Sequence, residues 1–311
     1  MKLDGRDVQF ERAGIYKLNA EAMGGDQRWE VQEIGLHPYM LAYANRGFRD
    51  YTLVPVFPLR TFRHKSIFVH ADRGIRTPQD LRGRSVAVAG YSQSSLVWIR
   101  GFLQHEYGVR PEEINWVSAT KSSDEGQVSE NESRIPEGVP ITRGPVGKDE
   151  SQLLVEGEVD AVFSAKEPQA YIDGDPEIVR LFADYRRTER EYFKTTGIFP
   201  IMHVVAIRKD VVAENPQLPR AVFEGYSRAK SLMYVEQRAL GWAMNSLPWY
   251  GQELEETRKL MGDNFWPYGI EPNLLALEAL FQYSHEQGFS ERRVTIDELF
   301  HPSTLALLEA D

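Results

Sequence analysis

The chain has 311 residues, long enough for two domains of ordinary size. It carries 46 acidic against 36 basic side chains, a formal net charge of −10, which argues against a nucleic-acid partner but leaves room for a small anion held by local arginines. With 0 cysteines, disulfides and cysteine-based nucleophiles or metal ligands are excluded.

No run approaches the ~18 apolar residues of a membrane span. The segment MKLDGRDVQFERAG lacks the apolar core of a secretory signal. A cytoplasmic protein is expected, or a periplasmic one where a signal has been removed.

In chain order, short apolar runs alternate with longer helical ones. Val8–Phe10, Glu33–Leu36, Ser66–His70, Val86–Ala89, Asn115–Val117, Ala161–Ser164, Val179–Phe182 and Met202–Ile207 read as strands. Several are continuously apolar, as strands covered on both faces are. Gly90–Tyr107 reads as a helix stopped by Gly108, with Leu96, Ile99, Leu103 and Tyr107 as its buried stripe. Residues 121–150 are polar and rich in Gly, Pro and Ser, and read as an irregular insertion. From Asn215 onward the pattern is mainly helical, with prolines at the boundaries. The order predicts an α/β fold with a parallel or mixed sheet.

Several segments place polar chemistry beside these strands. FPLRTFRH at 57–64 holds Arg60, Arg63 and His64: arginine grips a carboxylate bidentately, and a nearby histidine can exchange a proton near neutral pH. The plainer reading is a solvated edge. In AGYSQSS at 89–95, strand, glycine, polar turn and helix start form a natural anion site, with Ser92, Ser94 and Ser95 as hydroxyl donors beside Tyr91 and Gln93. Ordinary N-capping is the alternative. FSAKEP at 163–168 brings Ser164 and Lys166 to the carboxyl end of a strand, where ligands of open sheets collect. His203 stands among Ile201, Met202, Val204 and Val205, either as a satisfied core histidine or as a pocket acid or base. Trp98 and Trp266 are candidate ring-stacking residues, with core packing as the simpler role.

The segments PVFPLRTFRHKSIFVHADRGIRTPQDLRGRSVAVAGYSQSSLVWIRGFLQHEYGV, GEVDAVFSAKEP, EREYFKTTGIFPIMHVVAIRKDV and MGDNFWPYGIEPN resemble the 4,5-dihydroxyphthalate decarboxylase family. The resemblance implies a two-lobed α/β fold of the type II periplasmic-binding-protein kind, with a ligand cleft between lobes joined by a hinge crossed twice. It implies lobe 1 at 1–85 and 205–311 and lobe 2 at 86–204. Family members begin with a further strand and an arginine-bearing turn; here the chain starts almost at DGR, so that strand is expected to be missing or replaced.

The implied activity is non-oxidative decarboxylation of a hydroxylated aromatic acid, with a solute-binding protein or sensor for a small anion as the alternative. His64 and His203 are then the acid and base candidates. Arg60 and Arg63 would grip carboxylates, while Tyr91, Ser92, Gln93, Ser94, Trp98, Ser164, Lys166 and Trp266 would line the substrate. The partner is a small aromatic or anionic carboxylate, with no nucleic acid or membrane. No cofactor is predicted: a divalent ion would polarise catechol oxygens, but no ligand set for one is legible.

Overall fold

A computed structural model of the chain describes residues 2–3, 6–123 and 130–309. Its strands are β1 (Lys2–Leu3), β2 (Arg6–Asp7), β3 (Val31–Gly35), β4 (Tyr51–Val54), β5 (Ile67–His70), β6 (Ser85–Val88), β7 (Asn115–Ser118), β8 (Ile141–Arg143), β9 (Ala161–Phe163), β10 (Ile178–Arg180) and β11 (His203–Arg208). The helices that matter below are α1 (Ile15–Gly24), α2 (Leu36–Arg46), α3 (Ser94–Tyr107), α4 (Glu150–Val155), α5 (Gln169–Ile172), α6 (Tyr185–Thr196), α7 (Lys209–Glu214), α8 (Leu218–Ala239), α9 (Tyr250–Met261) and α10 (Leu274–Glu286).

Two sheets define two lobes. The smaller is antiparallel, in the order β3-β11-β4. The larger is mixed, in the order β10-β5-β9-β6-β7-β8: β9, β6, β7 and β8 run parallel, and β5 runs antiparallel to β9 and β10. Val86, Ala87 and Val88 are fully buried, as strands covered on both faces require. The first passage between sheets therefore lies between Val54 and Ile67, earlier than the boundary at 85 expected from the sequence. The apolar run Ile67–His70 is buried throughout, and it meets that need by pairing inside the larger sheet.

Helix α3 is central. Every residue from Ser94 to Leu103 is buried, because α2 and α10 pack on it and its apolar side chains join the main core cluster. Gly101 allows the closest of these approaches: a Cβ there would lie 2.1 Å from the Tyr283 ring on α10. The helix ends as its sequence predicts. Gly108, at φ 68°, donates to Gln104 O, and Val109 N–H donates back to Leu103 O at 2.9 Å.

Two expectations need correction. Val8–Phe10 is not a strand: it has no ladder partner, and Phe10 is exposed. The insertion at 121–150 is less irregular than its composition suggests. It contains β8, which extends the larger sheet, and Asp149 caps α4 by accepting from Gln152 N–H at 2.9 Å; residues 124–129 lie outside the described residues.

Candidate active site

Two extended segments carry the chain between lobes, and they pair with each other. Arg60 and Ile201 form an antiparallel bridge. Thr61 N–H donates to Pro200 O at 3.2 Å, and Met202 and His203 N–H both donate to Leu59 O, at 3.0 and 3.2 Å. A hinge crossed twice, closed by its own backbone hydrogen bonds, sets the position of the first residue of β11, His203.

His203 stands opposite Gly35 in the β11–β3 register, and Glu33 stands opposite Val205. Both side chains therefore fall on one face of the small sheet, in diagonal contact across the strands. The Nδ1–H of His203 donates to the Glu33 carboxylate. Side-chain exposure is 15% for His203 and 36% for Glu33, so the pair is accessible without being fully solvated. Nε2 makes no hydrogen bond among the described residues. Tyr226 of α8 lies beside the pair, and burial, reinforced by the Glu33 charge, pushes its hydroxyl pKa up.

On the other face of β3, a second polar cluster joins the lobes. Gly35 N–H donates to Asn19 Oδ1 at 2.9 Å, and Asn19 Nδ2 donates to Glu132 Oε1 of the insertion at 2.7 Å. Gln93 Nε2 bonds Tyr16. His37, at the start of α2, donates from Nδ1 to Ser92 O at 2.7 Å and accepts at Nε2 from Ser284 Oγ at 2.9 Å. Burial pushes its pKa down to about 3, so it is neutral.

The serine-rich turn is thus brought to the lobe junction, where two of its hydroxyl oxygens accept from backbone N–H groups. Ser92 Oγ accepts from Arg134 N–H at 3.1 Å, and Ser94 Oγ accepts from His37 N–H at 3.2 Å. Tyr91 faces the core rather than a ligand: its ring lies 3.9 Å from the Arg100 guanidinium and edge-on to Trp116. Trp98 is likewise core. It is fully buried and donates to Ile201 O at 2.9 Å, which holds α3 against the second crossing.

His64 is separated from His203. It lies in an aromatic nest, stacked on Phe102 at 4.1 Å, with Phe182 and Tyr192 at 5.2 and 5.1 Å. Among the described residues neither ring nitrogen has a hydrogen-bond partner, and burial pushes the pKa down to about 3. A neutral, enclosed imidazole of this kind is a core residue, contrary to its expected acid–base role.

Arg60 also departs from expectation. Its guanidinium donates to Asn273 Oδ1 at 2.6 Å, Phe199 O at 2.7 Å and Pro267 O at 3.3 Å, and lies over the Phe199 ring. These partners leave it tying the crossings to the C-terminal segment. Burial lowers its pKa to about 9.

Trp266 donates to Phe57 O at 2.8 Å and packs edge-on against Phe199, beside the same crossings. Arg63 donates to Ala165 O at 3.3 Å, which puts it beside the Ser164–Lys166 turn at the end of β9. Ser164 Oγ donates to Glu150 Oε1 at 3.2 Å, and burial raises the pKa of that carboxyl. Arg63, Ser164 and Lys166 therefore form a group on the larger lobe, distinct from the His203–Glu33 pair on the smaller one.

Glu33, Asn19, His37 and Glu132 escape the sequence reading. The one local signal was Glu33 itself, a charge inside the short strand β3. Two cavities of about 430 and 470 Å³ lie elsewhere, one against β7 and β8 and one around Arg49 and Arg208. Neither is lined by His203 or Glu33. Among the described residues, no group of three or more His, Cys, Asp or Glu is arranged to hold a metal ion.

No protein-family model matches the chain. It is 35% identical over 277 residues to the 4,5-dihydroxyphthalate decarboxylase of Comamonas testosteroni, covering 89% of this chain and 83% of that one. It is 30% identical over 166 residues to the enzyme of the same name from Pseudomonas putida, covering 53% of this chain and 64% of that one. Among solved structures, the periplasmic aliphatic sulphonate binding protein SsuA of Escherichia coli matches with a TM-score of 0.53 at 15% identity, over 92% of this chain and 84% of that one. DSZB in complex with biphenyl-2-sulfinic acid matches at 0.50 and 17%, over 93% and 88%. At such identities the structural likeness shows the fold alone, a two-lobed α/β architecture. The long sequence match reaches further: the chain belongs to the 4,5-dihydroxyphthalate decarboxylase family of carboxy-lyases.

Proposed function

We propose that this chain removes CO2 non-oxidatively from 4,5-dihydroxyphthalate and releases protocatechuate. The observation that carries the reading is the His203–Glu33 pair at the crossing between lobes, in a chain of this family.

The substrate places each carboxylate para to a hydroxyl. Loss of the phenolic proton to a base sends an oxygen electron pair into the ring. The carbon bearing the carboxylate then takes a proton. Its bond to the carboxylate breaks, the electron pair of that bond restores aromaticity, and CO2 leaves. The phenol is its own electron source, so the reaction needs no organic cofactor.

His203 is the group that passes the proton. With Nδ1–H given to Glu33, Nε2 is the nitrogen that meets the substrate. Glu33 fixes the ring orientation and offsets the positive charge of the imidazolium. Arg63 and Lys166, on the opposite lobe, supply positive charge for the substrate carboxylates. His64 takes no part.

The test is incubation with 4,5-dihydroxyphthalate while CO2 release is followed. His203→Gln is expected to lower kcat by about 10²- to 10⁴-fold with the fold retained. Full turnover by that variant would remove His203 from the mechanism. Saturable binding without CO2 release would replace the enzyme reading with the solute-binding one.

A further inference from the structure

The segment MGDNFWPYGIEPN, residues 261–273, takes no part in the chemistry at His203, yet it touches both crossings. Trp266 donates to Phe57 O at 2.8 Å and lies edge-on to Phe199, and Pro267 O accepts from Arg60 at 3.3 Å. Gly269 N–H donates to Pro55 O at 2.8 Å. Residues 300–309 hold this segment in place. They run as a strap along the smaller lobe: Phe300 forms a parallel bridge with Leu53 of β4, and His301 N–H donates to Leu53 O at 2.9 Å. Farther on, the strap meets Gly269 so closely that a Cβ on that glycine would lie 2.9 Å from Leu307 O. Gly269 also sits at φ 94°, where a side chain would be strained.

Glu309 then places one carboxylate oxygen, Oε2, among three donors. Lys230 Nζ lies at 2.6 Å, Asn264 Nδ2 at 2.8 Å and Tyr268 N–H at 2.9 Å. The other two protons of Lys230 go to Asn264 Oδ1 and Trp266 O, both at 2.7 Å. Side-chain exposure is 5% for Lys230 and 12% for Glu309, so both charges are largely removed from water. A buried ion pair holds only where further hydrogen bonds satisfy its members, and here every ammonium proton is met.

An ammonium, a side-chain amide and a backbone N–H converging on one oxygen have the donor composition of a carboxylate-binding site. The donors also straddle Trp266, because Asn264 and Tyr268 lie two residues to either side of it and Lys230 holds its carbonyl. A carboxylate at this point therefore bears on the residues that touch the crossings. We propose that Lys230, Asn264 and the Tyr268 amide form a carboxylate-binding site, that Glu309 is its ligand from within the chain, and that its occupancy clamps residues 264–269 onto the two crossings. The strap thereby sets how firmly the hinge holds the start of β11, where His203 stands.

Glu309→Gly removes the carboxylate and leaves a space the shape of propionate. Two readouts independent of turnover test the proposal: Tm, and amide hydrogen exchange in peptides covering 57–63 and 199–205. Thr61, Met202 and His203 bond across the crossings within those peptides. The variant should exchange there at least about tenfold faster than wild type, while peptides of β7, in the other lobe, stay unchanged. Sodium propionate should restore both Tm and exchange, saturably at millimolar concentration, and sodium chloride at equal ionic strength should not. Adding Lys230→Met, a neutral side chain of similar length, should abolish the response to propionate. Glu309→Gln keeps the shape without the charge and should exchange at an intermediate rate; it carries the exchange test where the glycine variant fails to fold. Unchanged exchange at the crossings, or an equal rise in both lobes, would overturn the clamp. No recovery with propionate, recovery with chloride, or recovery in the Lys230→Met background would overturn the site.

Discussion

The two histidines that look interchangeable in the sequence should separate cleanly on His64→Phe. His64 is enclosed by Phe102, Phe182 and Tyr192 and has a pKa of about 3 in the folded chain, against ~6.5 when unfolded. Its folded pKa is depressed, so the neutral ring contributes stability in full above about pH 6.5 and loses it as pH falls toward about 3. At ~pH 5 the unfolded state has bound a proton that the folded state refuses, which costs about 2 kcal/mol relative to ~pH 8. Phenylalanine has nothing to protonate, so the variant escapes this loss.

Urea unfolding of wild type and variant at both pH values measures it. The stability gap should move in the variant's favour by about 2 kcal/mol between ~pH 8 and ~pH 5. His37 and every other titrating group are common to both proteins and cancel. Removing ring nitrogens that lack partners among the described residues should also offset any cost of the slightly larger ring at the higher pH. Decarboxylation should persist. A gap that does not change with pH would show that His64 titrates freely, and loss of turnover in a well-folded variant would return it to the chemistry.

Two further outcomes follow from the geometry. Gly101→Ala should destabilise by about 1–3 kcal/mol despite alanine's better helix propensity, because the new methyl would meet the Tyr283 ring at 2.1 Å; the urea midpoint reads this directly. On the proposed mechanism, Glu33→Gln should lower kcat at least about tenfold with little change in KM, since it would disturb the imidazole assigned to proton transfer and not the binding of substrate. Partial recovery in Glu33→Asp, measured by CO2 release, would assign the effect to the carboxylate.

Local features were legible where the cause is local. The stop of α3 at Gly108 follows from a glycine that adopts φ 68° at low cost. The buried strands Ser85–Val88 and Ala161–Phe163 follow from continuous apolar runs. Strand β4 was missed because Tyr51–Val54 is short and runs straight into Pro55, so its burial on all sides has no periodic signature. The insertion misled for the opposite reason: its composition suits a loop, but β8 gains its hydrogen bonds from β7, an element outside it.

The sequence by itself determined the α/β order and the two-lobed family. Tertiary structure decided which polar residues share chemistry. Glu33 and His203 are 170 positions apart and meet only because β3 and β11 pair in one register. His64 and Arg60, close to each other in the chain, are drawn into separate surroundings, one aromatic and one lined by carbonyls. Residue type states what a side chain can do. Desolvation and available partners state what it does, and both depend on segments distant in the chain.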